Sequence, residues 1–268
     1  MRKLIGKLIA RVAPNTYDVI QAIRSRRLEC RLQEQWGLAP LTREFTARYG
    51  WTVRHGPFAG MELPPQTTRG GIVSKLLGAY EQELHEAIEQ AVSRPWATVL
   101  DVGCADGYYA VGFARRIPSA TVYAFDLDPE ARRLCRFAAR ANGVADRVQV
   151  RGRCEPATLQ RLLAPPALVF SDCEGFEATL LEPRAAPSLR QACVIVELHE
   201  FASPGIEAEL RRRFQPTHAI DRLVLGSRDA DRFIELDWLD PQQKLRLISE
   251  HRQTQQAFLV LRPSDLAR

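Results

Sequence analysis

The spacing of apolar residues changes once along this chain. Up to about residue 50, apolar side chains recur at three- and four-residue intervals among arginines and glutamates, the spacing of helical faces. Pro14 breaks or restarts the first of these helices, because its ring removes an amide donor. Gly56-Pro57, Gly60, Pro64-Pro65 and Gly70-Gly71 punctuate residues 51–70, which reads as an irregular or short-stranded stretch. A helix is expected over Ile72–Val92. From Ala97 onward, short apolar runs alternate with helix-period segments. Strands are predicted at 97–102, 121–126, 147–151, 167–171, 192–198, 217–225 and 256–261, and helices at about 107–117, 129–142, 156–163, 177–189, 204–213 and 240–252. Ala167-Leu168-Val169-Phe170 and Cys193-Val194-Ile195-Val196 lack polar alternation, the mark of strands covered on both faces. The alternation predicts an α/β architecture: a doubly wound, mostly parallel seven-stranded sheet with a helical N-terminal extension. The extension is placed at residues 1–71 and the α/β domain at 72–268.

Ligands of such sheets bind beyond the carboxyl ends of the strands. The acids at predicted strand ends are therefore candidate cleft residues: Asp101, Asp126, Glu155, Asp172, Glu174 and Glu197, with His199 and Glu200 beside the last. The first strand runs Thr98-Val99-Leu100-Asp101-Val102 into Gly103-Cys104-Ala105-Asp106-Gly107-Tyr108-Tyr109, and the second ends in Asp126-Leu127. A glycine loop lets backbone approach a ligand where a side chain would collide. A carboxylate at the next strand end accepts hydrogen bonds from ribose hydroxyls. The loop reads Asp-x-Gly-x-x-x-Gly and lacks the third glycine of the dinucleotide fingerprint. Asp101 and Asp106 flank it, which repels a pyrophosphate and suits a ligand carrying an ammonium and a sulfonium. The expected cofactor is S-adenosylmethionine (SAM), with S-adenosylhomocysteine as product, rather than NAD. Asp101, Gly103, Cys104, Gly107, Tyr108, Asp126, Leu127 and Asp172 are the cofactor-binding candidates.

Composition narrows the setting. Hydrophobic residues make up 46% and charged residues 26% of 268, enough for a sizeable core. The net charge of +5 comes from scattered arginines without interleaved aromatics, which argues against a nucleic-acid partner. Six cysteines show no C-x-x-C pair, so zinc-site spacing is absent and reduced thiols of a cytoplasmic protein are expected. Leu4, Ile5, Leu8, Ile9 and Val12 share a helical face opposite Lys3, Lys7 and Arg11. That face suits either peripheral contact with an anionic membrane or, the preferred reading, packing on the protein or on a second copy in a homo-oligomer. The stretch is too short and too charged to span a bilayer.

With these residues in place, the chain resembles the class I SAM-dependent methyltransferases, and more closely the FkbM-like O-methyltransferases. Val99–Tyr109 is similar to the group's first motif and Val122-Tyr123-Ala124-Phe125-Asp126 to its second, with Asp in place of the more usual Glu. Ser171-Asp172-Cys173-Glu174-Gly175-Phe176-Glu177 is similar to the D-x-E-G-x-E segment that follows the fourth strand. The resemblance covers about residues 72–200 and implies a Rossmann-like methyltransferase fold. It further implies an adenine-side acid, here Glu155. Leu76-Leu77-Gly78-Ala79-Tyr80-Glu81 is similar to a preceding helix that lies against the SAM pocket in related bacterial enzymes, which brings Glu81 toward the cofactor.

Methyl transfer to a hydroxyl requires alignment of the reactants and removal of a proton. His199 is the natural base, since imidazole titrates near neutrality. Glu197 or Glu200 would orient it, and Asp172 and Glu174 are competing bases. Asp172, Glu174, Glu197 and His199 are also an oxygen-rich ligand set for a divalent metal, ranked behind the base reading. The place after the fourth strand holds Asp172-Cys173-Glu174-Gly175-Phe176 instead of Asn/Asp-Pro-Pro-Tyr/Phe, which argues against methylation of base amines or glutamine amides. The reading is O-methylation of a small molecule or sugar. The alternatives are an RNA or protein methyltransferase, or a non-catalytic binding and assembly module.

Overall fold

The computed structural model describes residues 14–65, 71–250, 252 and 255–264. The amphipathic stretch Met1–Val12 lies outside them. All seven predicted strands form: β1 (Thr98–Val102), β2 (Thr121–Phe125), β3 (Val148–Arg151), β4 (Ala167–Ser171), β5 (Ala192–Glu197), β6 (His218–Val224) and β7 (Ala257–Pro263). They make one sheet in the order β3-β2-β1-β4-β5-β7-β6. β1 to β5 are mutually parallel, and β7 inserts antiparallel between β5 and β6. The strand order reverses beside β1, so β1 and β4 diverge at a switch point where their carboxyl ends open a crevice.

Neighbouring strand residues point to opposite faces, and each face has its own core. Val99, Leu168, Phe170, Ile195 and Phe258 pack on one side with Phe45, Phe58 and Phe113. Leu100, Val169, Val194 and Leu259 pack on the other with Leu159, Leu180 and Phe214. Each fully buried large side chain contributes about 1.5–3 kcal/mol. Burial on both faces is what the unbroken apolar runs of β4 and β5 anticipate.

Three expected helices differ. The span 72–92 is a short helix Ile72–Leu77, a 3-10 turn Gln82–Leu84 and a helix His85–Val92. The chain leaves helical geometry at Gly78 and Glu81, both left-handed. The span 177–189 is one helical turn, Glu177–Leu180, followed by a 3-10 segment Pro187–Gln191. Pro183 and Pro187 supply no amide donors, so the helix cannot continue. The expected helix 240–252 stops at Ile248.

The N-terminal helix Pro14–Gln35 starts at Pro14, whose missing donor costs nothing in a first turn. It docks over the strand ends. Arg26 Nε donates to Asp128 Oδ2 at 2.6 Å, and Arg153 donates to Asp18. Asp128 is buried and caps the following helix by accepting the Glu130 amide.

Candidate active site

The loop after β1 is built around two backbone approaches. The amides of Gly103 and Cys104 donate to Phe125 O at 2.8 and 2.9 Å, pinning the loop to the end of β2. Gly103 has φ +94, and a Cβ on it would stand 1.6 Å from the carbonyl oxygen of Asp172. The loop therefore passes flush against the end of β4, and only glycine allows it. The Asp126 carboxylate accepts from the Ala105 amide at 2.9 Å through Oδ2 and from the Asp128 amide at 2.8 Å through Oδ1.

A cavity of about 480 Å³ opens at these strand ends, within the range of cofactor sites. Gly103, Asp126, Leu127, Asp172 and Glu174 line it, as the sequence leads one to expect. Val102, Phe125 and Phe176 give it apolar walls suited to an adenine ring. Asp172 Oδ1 is buried without a hydrogen-bond partner among the described residues, so the wall offers an unsatisfied acceptor to a cationic group. The residues present fit SAM: a carboxylate for ribose, apolar walls for adenine and an acidic wall that suits its positive charge.

Other candidates sit elsewhere. Asp101 is 1% exposed, behind the glycine loop, and neither carboxylate oxygen is hydrogen-bonded among the described residues. Burial, then the charges of Asp172, Asp126 and Asp106, push its pKa well up; the nearby Ala110 amide offsets this only in part. Asp106 does not face a ligand, because Lys75 Nζ reaches both of its oxygens at 3.1 and 3.2 Å inside the core. Cys104 is buried beside Cys135, and Gly107 packs on that same residue. Tyr108 belongs to an aromatic cluster, edge-on to Phe58 and Tyr80, rather than to the cavity wall. Glu155 is exposed at the start of the helix Pro156–Leu162, and Gly152, Arg153 and Cys154 form the wall in its place.

Glu81 does not line the cavity and is buried in a charge network next to its wall. It accepts from the Tyr109 hydroxyl and from Arg252, whose other nitrogen donates to Glu197 Oε1 at 2.6 Å. Burial raises its pKa to about 7 against the pull of Arg252, with the charges of Glu250 and Asp172 adding to the rise.

The helix Pro14–Gln35 contributes Asp18, Gln21, Ala22, Ser25 and Arg26 to the cavity lining, none of which the sequence singled out. Their spacing on one helical face was the available signal, but nothing local said which surface that face covers. Arg26→Ala is expected to weaken SAM binding several-fold with little loss of melting temperature. A single part-exposed ion pair contributes about 1 kcal/mol or less, while this one holds the cavity's cover. Titration calorimetry beside a melting curve checks this, and unchanged affinity would mean the helix is not part of the binding site.

His199 stands at the end of β5 with its side chain 2% exposed. Its Nδ1 is 2.6 Å from Glu177 Oε1, and that carboxylate oxygen also accepts the amides of Cys173 and Gly175 at 3.2 Å. Nε2 faces Asp172 Oδ1 at 3.4 Å, Glu174 Oε2 at 3.7 Å and Glu197 Oε2 at 3.7 Å. Burial disfavours its charge, yet the hydrogen bond to Glu177 and the charges of Asp172, Glu177 and Glu174 prevail and raise its pKa to about 9. Burial and the charges of Asp172 and Glu81 push Glu197 well up. Glu200 does not orient the imidazole, since it accepts the amides of Gly205 and Glu207 instead. The orienting group is Glu177.

The D-x-E-G-x-E segment now has a physical reading. Glu174 takes φ +56 and Gly175 φ +102, and a Cβ on Gly175 would meet Ala202 Cβ at 2.6 Å. That turn brings Asp172 and Glu174 to the Nε2 side of the imidazole and Glu177 to its Nδ1 side.

The sheet order, with the glycine loop and the acid at the end of β2 facing one cavity, is a Rossmann-like fold of the methyltransferase type. Residues 99–170 match the family described as methyltransferase domain. The release factor glutamine methyltransferase of Cereibacter sphaeroides is 34% identical over 113 residues, covering 40% of this chain and 41% of that protein. The ribosomal protein L11 methyltransferase of Pelotomaculum thermopropionicum is 34% identical over 103 residues, covering 38% of this chain and 32% of that protein. The chain thus spans less than half the length of either relative. Among solved structures, cofactor-bound Rv0187 from MTB is 19% identical, with 76% of this chain and 85% of that chain covered and a TM-score of 0.46. No helix among the described residues is long and apolar enough to cross a membrane.

Proposed function

We propose that this protein is a SAM-dependent methyltransferase that acts on a hydroxyl of a small molecule or sugar. One observation carries the reading: Asp172 and Glu174 line the cavity where the end of β4 meets the glycine loop, and the His199 imidazole and Glu197 carboxylate converge on them from behind. Acceptors less acidic than a carboxylic acid need such groups to take or displace a proton. In the reaction, the acceptor oxygen forms a bond to the methyl carbon while the carbon–sulfur bond breaks. Its electron pair passes to sulfur and leaves neutral S-adenosylhomocysteine; the hydroxyl proton leaves to the acidic cluster or through it to water. The cofactor supplies an already activated methyl group, so the chain's part is binding, alignment and handling of that proton. With a pKa near 9, His199 is mostly protonated at neutral pH, which favours a carboxylate of the cluster over the imidazole as proton acceptor. The closer kinship to FkbM-like O-methyltransferases rests on Asp172-x-Glu174-Gly175-x-Glu177.

The names of the two relatives favour a second reading, transfer to a protein side chain. One experiment separates the readings. The full chain is titrated calorimetrically with SAM and, separately, with NAD, then incubated with radiolabelled SAM and a cell extract divided into metabolite and protein fractions. Micromolar binding of SAM alone, with label in metabolites, is expected. Label confined to protein would move the acceptor to the second reading. No SAM binding would overturn the cofactor assignment.

A further inference from the structure

We infer that Asp172, Glu174 and His199, with Glu197 behind them, form a binding site for a divalent cation at the wall of the cofactor cavity. Among the described residues, the first three each bring one ligand atom to within 4.8 Å of the others. They come from two neighbouring strand ends, β4 and β5, so the sheet itself sets their separation. His199 Nε2 stands 3.4 to 3.7 Å from three carboxylate oxygens, too far for good N–H···O hydrogen bonds. Ligands about 2.0–2.2 Å from a common ion, set at octahedral or tetrahedral angles, stand about 3.0–3.5 Å apart. The spacing therefore suits a shared ion after a small contraction.

Two further observations point into the same space. Asp172 Oδ1, nearest to Nε2, is buried and lacks a hydrogen-bond partner among the described residues. His199, with its side chain 2% exposed, makes its hydrogen bond among the described residues through Nδ1, and its other nitrogen is aimed at the carboxylates. Glu177 supplies the outer partner of a carboxylate–histidine–metal arrangement, which fixes the tautomer and leaves Nε2 to the ion. On binding, the ion displaces the Nε2 proton to solvent and the Nδ1 proton stays on the bond to Glu177. One imidazole with two or three carboxylates suits Mn²⁺ or Fe²⁺, and Mg²⁺ less tightly, rather than a soft thiolate-seeking metal. Asp172 and Glu174 also line the cavity, so the ion would be open to an acceptor oxygen there. That consequence rests on the proposed function: the bound hydroxyl would lose its proton more readily. The metal site itself does not depend on it.

The test uses the full chain after chelator treatment. Mn²⁺ is added, and its binding is followed by loss of the free-ion paramagnetic resonance signal and by calorimetry; SAM is titrated into the same preparation. One Mn²⁺ per chain with micromolar affinity is expected, weakened at least tenfold in Glu174→Gln and His199→Gln. Glu174 is 77% exposed, so its variant folds even if the histidine variant does not. Absence of Mn²⁺ binding at millimolar concentration, or equal binding by Glu174→Gln, overturns the site. SAM binding without Mn²⁺ binding removes the metal and leaves the cofactor reading standing. Mn²⁺ binding lost in the variants but without SAM binding supports the metal site and overturns the cofactor reading.

Discussion

Gly103→Ala is expected to abolish measurable SAM binding and to lower the melting temperature by several degrees. The added Cβ would lie 1.6 Å from Asp172 O, about the length of a covalent bond, and φ +94 is strained for any L side chain. Backbone meets backbone here, so no side chain can swing aside. Relief requires the loop to lift from the end of β4, which pulls its amides off Phe125 O and carries Ala105 away from Asp126. The variant thus loses both the floor of the cavity and its alignment with Asp172. Thermal melting and calorimetric titration read the two effects separately. A variant with wild-type affinity would show that the loop does not approach the cofactor.

Asp126→Ala is expected to weaken SAM binding at least about a hundredfold while the fold survives. A carboxylate holding two ribose hydroxyls makes charge-assisted bonds worth roughly 1.5–3 kcal/mol each, and 1.4 kcal/mol is tenfold in affinity. The alanine also frees the amides of Ala105 and Asp128, which loosens the loop. Asp126→Asn keeps an acceptor and the side-chain volume, so it should fall between wild type and alanine. Equal affinity in all three proteins would sink the ribose assignment. A large drop in melting temperature with unchanged affinity would make Asp126 a structural cap of the loop.

Asp126 and Gly103 were legible because their evidence is local. An apolar run ending in an acid, then a glycine, marks a strand that must turn closely past something. The expected helix over 72–92 failed for the opposite reason. Its apolar spacing is helical throughout, but Gly78 and Glu81 adopt left-handed geometry where the segment packs against distant chain. Neither acid flanking the glycine loop lines the cavity. Asp101 is held buried without a hydrogen-bonded partner among the described residues, whereas Asp106 is neutralised by Lys75, 31 residues earlier. Glu81 and Tyr108 were expected at the cofactor, yet Arg252 and Phe58 claim them.

By itself the sequence determined the seven strands and the glycine loop, and it pointed to the acid at the end of β2 and to Asp172, Glu174, Glu197 and His199, which the fold brings together. Hydrophobic period, glycine placement and residue type are properties of short segments, and they persist whatever packs around them. Only the tertiary structure decided how these groups are used. It joined Arg26 to Asp128 across 102 residues, so that the N-terminal helix covers the cavity. It set Glu177, and not Glu200, against His199. It buried the imidazole where neighbouring carboxylates raise its pKa to about 9. Partner choice and burial depend on which surfaces meet once the sheet has closed, and that information is spread over the whole chain.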